Sequence, residues 1–523
     1  MNSQKNHINK AMQGAMILTL AGLLTKIFSA AYRVPYQNIV GDIGFYIYQQ
    51  VYPFYGMSVI LATSGFPVMI SKVMSDYGYG HSIKVRSKIM TITLLYLIAF
   101  GMTLSIFLYI LSAPLSIFMG DIHLEPLIQL AAVSFLIVPF VSLLRGQFQA
   151  DQNMNPTATS QVVEQGIRVT FILLSSYFLI REGFDLYIVG QGAILSSIIG
   201  SLAGLLILIY IWVKKGYRFS WNLTAPVSTW KVVKTLLTYS LTIGISSLLL
   251  ILIQLIDALN LYSLLVNGGM EEEAAKTLKG VYDRGQPLIQ LGTVVATSFA
   301  LSLVPVIANA KVNNDEGFIR EKLRLSLKLC FVIGAGASGG LIVLMKSINT
   351  MLFRNPSGTE VLMILSGSVL FTSICLTLFA ILQGLGHTFV PAIAVLVGAG
   401  IKFIGNELLI QIFAITGAAI STLIAYMFIS IIMMFYLISK GYSFRGNKSL
   451  YKIGLSLIVM LGVLFLTLEV NSYINIHSRT YSTITALIGV VIGAFFYGIA
   501  IIKFNVFTKE EMQSIPVINK IIK

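Results

Sequence analysis

Apolar runs of twenty or more residues recur along the whole chain, and they constrain its fold more than any other feature. The runs are continuous and do not alternate with period two, which predicts membrane-spanning helices and excludes a barrel. Only 11% of the residues are charged, against about 25% in a soluble domain. The sequence therefore predicts an all-α polytopic membrane protein with about 14 transmembrane helices, at residues 11–36, 44–72, 88–112, 124–145, 157–181, 186–213, 231–264, 280–309, 324–348, 360–385, 389–412, 415–439, 450–474 and 480–504.

The formal net charge of +15 is explained by loop cations, which set membrane topology, and no nucleic-acid-binding motif accompanies it. With the N-terminus placed in the cytoplasm, 25 of the 36 Lys and Arg residues fall in cytoplasmic segments and eight in outer ones. This bias predicts a multi-pass protein of the cytoplasmic membrane with both termini cytoplasmic. Three cations remain inside spans, namely Lys26, Arg168 and Lys402.

The sequence contains an internal repeat. Three segments of the first half resemble three of the second half at offsets of 234 to 236 residues: "GFYIYQQVYP" (44–53) and "GVYDRGQP" (280–287), "ATSGFPVMISK" (62–72) and "ATSFALSLVPVIANAK" (296–311), "PTATSQVVEQGIR" (156–168) and "PAIAVLVGAGIK" (391–402). The offset corresponds to six spans, so the two copies have the same membrane orientation.

The repeat predicts the domain organisation. Residues 1–213 form a first six-helix lobe and residues 231–439 a second, related by an axis along the membrane normal. Residues 450–504 add two helices outside the repeat, and residues 505–523 form a cytoplasmic tail. Two such lobes predict a central cavity and alternating access by rocking.

Ionisable side chains inside spans are costly in lipid, so they are expected to line a cavity, to pair, or to reach the interface. Lys26 and Arg33 are seven residues apart and share one face of span 1. Glu164 and Arg168, at i and i+4 on span 5, are either a self-neutralised pair or cavity residues. Lys402, the repeat equivalent of Arg168, has no acid at its i+4 position, which favours an anion-facing role.

Arg284 begins span 8, where its planar guanidinium is suited to phosphate oxygens. Its neighbour Asp283 is expected to hold Arg284 in an empty site, and the alternative is an interfacial salt bridge. Asp257 lies in a polar patch of span 7, where it is expected either to bind Na⁺ or a proton or to bond a neighbouring helix. Prolines in spans 2 and 8 predict bent or broken helices there.

Enzyme classes have no support in the sequence. Walker A and HExxH motifs are absent, and the loops are too short to house a catalytic domain. A structural scaffold would not need charged residues in the middle of its spans. A transporter is the class that remains.

The segment "GVYDRGQPLIQLGTVVATSFALSLVPVIANA", followed by "FIREKLRLSLKLCFVI", resembles the span 8–9 region of MurJ-type lipid II flippases. "LTKIFSAAYRVPYQNIVG" is similar to their first helix. The resemblance covers essentially the whole chain and is nearest to the Gram-positive MurJ/SpoVB-like branch of the multidrug/oligosaccharidyl-lipid/polysaccharide exporter superfamily. It implies a flippase that moves undecaprenyl-diphosphate-linked peptidoglycan precursor, lipid II, from the inner to the outer leaflet.

The same resemblance implies a site. Lys26, Arg33 and Arg284 match cavity cations on helices 1 and 8, whereas the family's mid-helix-2 arginine has no counterpart, since Lys72 lies at the cytoplasmic end of span 2. Helices 13 and 14 are expected to hold the lipid tail. Some members bind Na⁺, which maps onto Asp257, Asn406 and Thr416; H⁺ is the other coupling ion expected. The expected partners are membrane lipids and cell-wall synthesis proteins, around a monomer.

Two alternative functions are compatible with the sequence. One is a flippase for another polyprenyl-linked polysaccharide unit. The other is a cation-coupled multidrug exporter, which fourteen spans and a basic set of inner residues disfavour.

Overall fold

The computed structural model describes residues 17–18, 20–78, 83–442, 449–472 and 478–513. Every regular element in these residues is a helix, and eleven of the helices are long and apolar enough to cross a membrane. Two of the eleven, Leu20–Tyr77 and Phe389–Ser439, each contain two predicted spans. Predicted span 8 is divided among shorter helices, so the described chain accommodates the 14 predicted helices, and the all-α membrane fold is confirmed.

The helices group into two compact units. The first comprises Met1–Asp283 and Thr388–Ala418. Its helices are α1 (20–31), α2 (Arg33–Ile60), α3 (Phe66–Gly78), α4 (Ile83–Ile110), α5 (Ser112–Phe118), α6 (Glu125–Ala150), α7 (Asn155–Arg181), α8 (Leu186–Lys214), α9 (Thr229–Tyr239), α10 (Ile245–Ser247), α11 (Leu249–Asn267) and α12 (Glu272–Asp283), followed by the start of α17 (Phe389–Ser439). Short π-helical turns at Leu61–Gly65 and Ser240–Gly244 and a 3₁₀ turn at Ile122–Leu124 connect some of them.

The second unit comprises Arg284–His387 and Ala419–Lys523. Its helices are the rest of α17 together with α13 (Gly285–Gly292), α14 (Val294–Val312), α15 (Glu316–Phe353), α16 (Thr359–Gly384), α18 (Ser449–Ser472), α19 (Arg479–Lys503) and α20 (Lys509–Gln513). Within this unit α15 packs on α16, α18 and α19.

The packing units divide the chain differently from the sequence repeat. Helices α11 and α12, which the repeat assigns to the second lobe, pack against α2 in the first unit. At Gly280 of α12 a Cβ atom would lie 2.1 Å from the carbonyl oxygen of Asp42, so only glycine permits this approach. The two six-helix lobes reflect the similarity between the two halves of the sequence. Their arrangement as two structural lobes stays a prediction.

Predicted spans 2 and 8 are each interrupted near one of their prolines, Pro67 and Pro287, whereas α2 continues through Pro53 and α14 through Pro305. In span 2 the helix widens into the π-turn Leu61–Gly65, and the backbone N–H of Phe66 donates to the carbonyl of Leu61. Pro67 follows at once and has no N–H to continue the α-helical pattern. In span 8 the chain breaks at Arg284 and Thr293, on either side of the short helix that contains Pro287.

The long helix α17 bends between the two spans predicted at 389–412 and 415–439. Ala414 has a φ of 48°, which is unusual for a residue with a Cβ atom. Two positions later, a Cβ at Gly417 would lie 2.2 Å from the carbonyl oxygen of Leu409. This bend separates the two spans without a loop.

The glycines of α15 provide the small-residue face that brings neighbouring helices close. A Cβ at Gly334 would lie 3.2 Å from Leu370 of α16, and one at Gly336 would lie 2.6 Å from Tyr497 of α19. A Cβ at Gly339 would lie 2.9 Å from Leu457 of α18. The approach at Gly334 positions α16 against α15, and those at Gly336 and Gly339 position α19 and α18 against it.

Candidate functional site

Arg33 is fully buried at the first turn of α2, directly after the break between α1 and α2. Its guanidinium carbon lies 4.3 Å from the ring centroid of Tyr52. None of its three side-chain nitrogens has a hydrogen-bond partner among the described residues. Burying five N–H donors without acceptors is costly, so this side chain is suited to an acceptor that the described residues do not supply.

Arg168 reaches the same region from α7. It is buried, its Nη2 donates to Ser29 Oγ at 3.2 Å, and its Nε is unpaired within the described residues. Its guanidinium carbon lies 5.5 Å from the ring of Tyr32 and 5.8 Å from that of Tyr55. Arg33 and Arg168, two of the predicted site residues, are therefore brought together by a shared set of tyrosines.

We call Tyr32, Tyr36, Tyr48, Tyr52 and Tyr55 the tyrosine cage. Tyr48, Tyr52 and Tyr55 are spaced four and three residues apart, so they line one face of α2. The hydroxyls of Tyr32 and Tyr48 are 2.7 Å apart, and the rings of Tyr36 and Tyr48 are 5.0 Å apart. The sequence analysis did not select these tyrosines, although the spacing in "YQQVYPFY" is a signal that could have identified them.

The two guanidiniums in the tyrosine cage have no carboxylate within salt-bridge distance in the described part of the chain. Aromatic faces stabilise a cation without neutralising it. The cage therefore holds two positive charges that an anionic ligand can meet. An anion with oxygen acceptors, such as a phosphate group, fits this arrangement.

Lys26 lies on α1, one turn before Ser29 and two turns before Arg33, so it faces the same side as the cage residues. It is half-buried, and no hydrogen bond or ion pair joins it to the residues that the structure describes. Its ammonium is a third positive charge on this face.

Glu164 and Arg168 do not form the i,i+4 pair that was one reading of the sequence. Glu164 Oε2 accepts from Arg145 Nη2 at 2.8 Å, and Glu164 Oε1 accepts from Ser201 at 3.2 Å. Arg145, counted among the cytoplasmic cations, is fully buried on α6. A partner on a neighbouring helix neutralises Glu164, which leaves Arg168 free to face the cage. This cross-helix contact has no signature in local spacing.

The expected contact of Asp283 with Arg284 is replaced by another. Both carboxylate oxygens of Asp283 accept from Lys279 Nζ at 2.7 Å, and both residues are buried. Lys279 lies one turn earlier on α12, where the i,i+4 spacing places it over Asp283, whereas adjacent residues on a helix point in different directions. Lys279 had been counted among the outer loop cations.

Arg284 begins the second unit and is also fully buried. Its Nη1 donates to Asn355 Oδ1 at 2.8 Å and to Asn349 Oδ1 at 3.3 Å, and its guanidinium carbon lies 5.2 Å from the ring of Phe353. Amide oxygens satisfy hydrogen bonds without cancelling charge. The phosphate-binding role of Arg284 stays a prediction.

Lys402 does not face an anion site. Its buried ammonium lies 2.6 Å from Asp257 Oδ1 and donates to the carbonyl oxygen of Ala418 at 2.8 Å. Asp257 also accepts from Asn406 Nδ2 at 3.1 Å and from the hydroxyl of Tyr282 at 2.7 Å. Of the alternatives stated for Asp257, the structure shows bonds to neighbouring helices.

The sodium site implied by the family resemblance does not fit these residues. Asp257 and Asn406 do meet, but the ammonium of Lys402 lies where a cation would bind Asp257. The third residue, Thr416, is half-buried and has no side-chain hydrogen bond in the part of the chain described here. The described residues also contain no group of three or more His, Cys, Asp and Glu arranged to hold a metal ion.

An apolar cavity of about 520 Å³ lies within the second unit. Helices α13, α15, α18 and α19 line it, with Leu291, Gly340, Leu344, Met460 and Gly493 among the wall residues. The glycines of α15 and α19 leave this volume open, because no side chain projects from them. The two helices outside the sequence repeat, α18 and α19, therefore have a surface suited to an acyl or polyprenyl chain.

A multi-pass helical fold with unneutralised buried arginines and an apolar cavity defines a membrane transporter. Residues 11–311 match the family described as "Polysaccharide biosynthesis protein". The chain is 45% identical to "Uncharacterized membrane protein YabM" of Bacillus subtilis, over 98% of this chain and 96% of that protein. It is 28% identical to "Lipid II flippase MurJ" of Bacillus subtilis, over 84% of each chain.

Two solved structures share the fold. A lipid II flippase MurJ in an inward closed conformation matches with a TM-score of 0.68 and 15% identity, over 93% of this chain and 99% of that one. An inward-facing multidrug resistance MATE transporter matches with a TM-score of 0.64 and 16% identity, over 81% and 98%. The chain belongs to the family described as polysaccharide biosynthesis protein. It is also similar to a MurJ flippase in sequence, and to MurJ and MATE transporters in fold.

Proposed function

We propose that this protein is an alternating-access flippase that carries lipid II, an undecaprenyl-diphosphate-linked peptidoglycan precursor, from the inner to the outer leaflet of the cytoplasmic membrane. In this proposal both termini are cytoplasmic, and the protein works as a monomer beside cell-wall synthesis proteins. The observation that carries the proposal is the tyrosine cage, in which Arg33 and Arg168 are buried without a carboxylate partner among the described residues.

The diphosphate would bind at the cage. Each phosphate presents oxygen acceptors in the geometry that a guanidinium fork bonds in bidentate fashion. The unpaired nitrogens of Arg33 and the unpaired Nε of Arg168 supply donors without breaking an internal ion pair. Lys26, on the same face of α1, adds a charge that the ligand meets during entry.

Arg284, in the second unit, is a separate candidate for binding a phosphate group. Its Nη1 donates to the side-chain oxygens of Asn349 and Asn355.

The polyprenyl tail would occupy the apolar cavity between α13, α15, α18 and α19. A tail kept in an apolar groove avoids the cost of drawing tens of methylene groups through water, at about 0.8 kcal/mol each. The cavity and the cage thus support a substrate with a charged head and a long apolar chain.

A flippase for another polyprenyl-linked polysaccharide unit is the second candidate. The family description, "Polysaccharide biosynthesis protein", supports a glycan substrate without specifying peptidoglycan precursor, and the 45% identical relative YabM is itself uncharacterized. A cation-coupled multidrug exporter is disfavoured, because two unneutralised guanidiniums repel a cationic drug.

The test is transport by the purified full chain in proteoliposomes. Fluorescent lipid II is placed in both leaflets, and its accessibility to a membrane-impermeant quencher is followed over time. Lipid II is expected to exchange at least about ten times faster than in protein-free vesicles. An undecaprenyl-diphosphate carrying a neutral polysaccharide unit serves as the competitor. If that lipid moves and lipid II does not, the second candidate replaces the first; if neither moves, both are wrong.

A further inference from the structure

The buried cluster around Asp257 has the composition of a cation site that already contains its cation. Five oxygen atoms belong to it: Asp257 Oδ1, Asn260 Oδ1, Asn406 Oδ1, the Ala418 carbonyl oxygen and the Tyr282 hydroxyl. Carboxylate, amide and carbonyl oxygens are what hard cations prefer. Nζ of Lys402 contacts two of them, at 2.6 Å from Asp257 Oδ1 and 2.8 Å from the Ala418 carbonyl oxygen.

One further atom supports this reading. Asn406 Oδ1 is buried and has no hydrogen-bond partner among the described residues, while Asn406 Nδ2 donates to both Asp257 and Asn260. An unpaired buried acceptor is costly. The cluster therefore keeps one acceptor that no described residue uses.

We propose that Lys402 acts as a built-in cation at this position, so that the protein binds no sodium ion there. An ammonium attached to α17 neutralises Asp257 permanently, since it cannot dissociate from the chain as a metal ion does. The site then serves to join α11, α12 and α17 in the first unit, and it carries no ion across the membrane. Without the ammonium, the cluster should be able to bind a monovalent cation.

A second ion pair lies close by and sets the local charge. Lys279 and Asp283 form a buried pair on α12, and the ring of Tyr282 lies 5.8 Å from Lys279 Nζ and 5.9 Å from Lys402 Nζ. Two ammonium groups and two carboxylates therefore balance around one tyrosine. An added sodium ion would leave an uncompensated positive charge in a low-dielectric site.

The experiment measures sodium binding directly and needs no transported substrate. Purified full-length protein is equilibrated with ²²Na⁺, and its thermal unfolding is recorded in NaCl and in N-methylglucamine chloride at equal ionic strength. Wild type is expected to bind no saturable sodium and to show the same Tm in both salts. Lys402→Met keeps the length of the side chain and removes its charge, so it is expected to bind sodium and to gain about 2 °C or more in NaCl.

Two control variants separate charge from packing. Lys402→Arg retains a cation, so it is expected to bind no saturable sodium and to show the same Tm in both salts. The double variant Lys402→Met, Asp257→Asn removes both charges and is expected to lose the sodium binding of the single variant. Saturable sodium binding by wild type that Asp257→Asn abolishes would overturn the proposal, as would folded Lys402→Met protein that binds none. If Lys402→Met does not fold, the wild-type measurement decides alone.

Discussion

Arg33 and Arg168 illustrate what a single side chain contributes to this site. Both were candidates from the sequence because charge inside a span is costly. The structure adds that neither is paired with an acid in the described residues and that both lie against tyrosine rings. Lys402 was a candidate on the same grounds and proves to be half of a buried ion pair. Buried cations selected on the same grounds therefore have different partners in the structure.

At the residue scale, replacing either cage arginine should weaken substrate binding. Loss of one charge-assisted pair of hydrogen bonds costs about 1.5–3 kcal/mol, which is about a 10- to 100-fold loss in lipid II affinity for Arg33→Gln or Arg168→Gln. Binding of fluorescent lipid II to the purified protein measures this loss of affinity. Arg181→Gln is the matched control, since Arg181 is exposed at the last turn of α7.

The conservative variant sharpens that test. Arg168→Lys retains the charge but loses the planar fork, so it is expected to recover only part of the affinity. Unchanged binding in Arg33→Gln and Arg168→Gln, with both proteins folded, would remove the cage from the substrate site.

The helix α15 shows how an element is shaped by its smallest residues. Gly336 and Gly339 allow α19 and α18 to approach closely, and a Cβ there would meet Tyr497 and Leu457. Gly340 differs from them, because a Cβ there would have nothing within 4 Å. That open space is part of the apolar cavity.

At the element scale, Gly340→Phe should fill the cavity without disturbing the packing of α15. If the polyprenyl tail occupies this space, the variant is expected to lose most of its transport while its Tm stays near that of wild type. Quencher-based transport and thermal unfolding of the same preparation measure the two quantities.

Gly462→Phe is the control for this substitution. Gly462 lies on α18, is exposed, and has nothing within 4 Å of a built Cβ, yet it is not a wall residue of the cavity. Equal transport by Gly340→Phe and Gly462→Phe would place the tail elsewhere.

For the whole molecule, the question is what drives net movement of the lipid. A fixed ammonium at Asp257 leaves no sodium ion to carry energy at that position, so the membrane potential is the expected source. Each net negative charge moved outward gains about 2.3 kcal/mol per 100 mV, inside negative.

At the scale of the whole molecule, an imposed potential should therefore shift the final distribution of lipid II. Proteoliposomes holding a potassium diffusion potential of about 100 mV are expected to change the outer-to-inner ratio by about 50-fold per net charge. The final ratio does not depend on the orientation of the protein in the vesicle. A ratio that follows a sodium or pH gradient and ignores the potential would contradict a uniport driven by voltage.

The sequence by itself determined the membrane class and the number of helices, and it marked two of the breaks in them. The positive φ angles at Gly41 in α2 and at Ala414 in α17 came from the structure alone. Continuous apolar runs admit one solution in lipid, because every backbone N–H and C=O must be satisfied within its own segment. Prolines near residues 67 and 287 marked the interruptions for the same local reason. The buried cations were visible because charge is rare in such segments.

Only the tertiary structure decided which of those cations are neutralised. Arg145 reaches Glu164 from another helix, and Lys402 reaches Asp257 across a sequence separation of more than a hundred residues. Local spacing carries no information on such pairs, since they depend on how helices pack side by side. The contacts of the tyrosines with Arg33 and Arg168 likewise depend on tertiary packing, because they form only where α1, α2 and α7 approach one another.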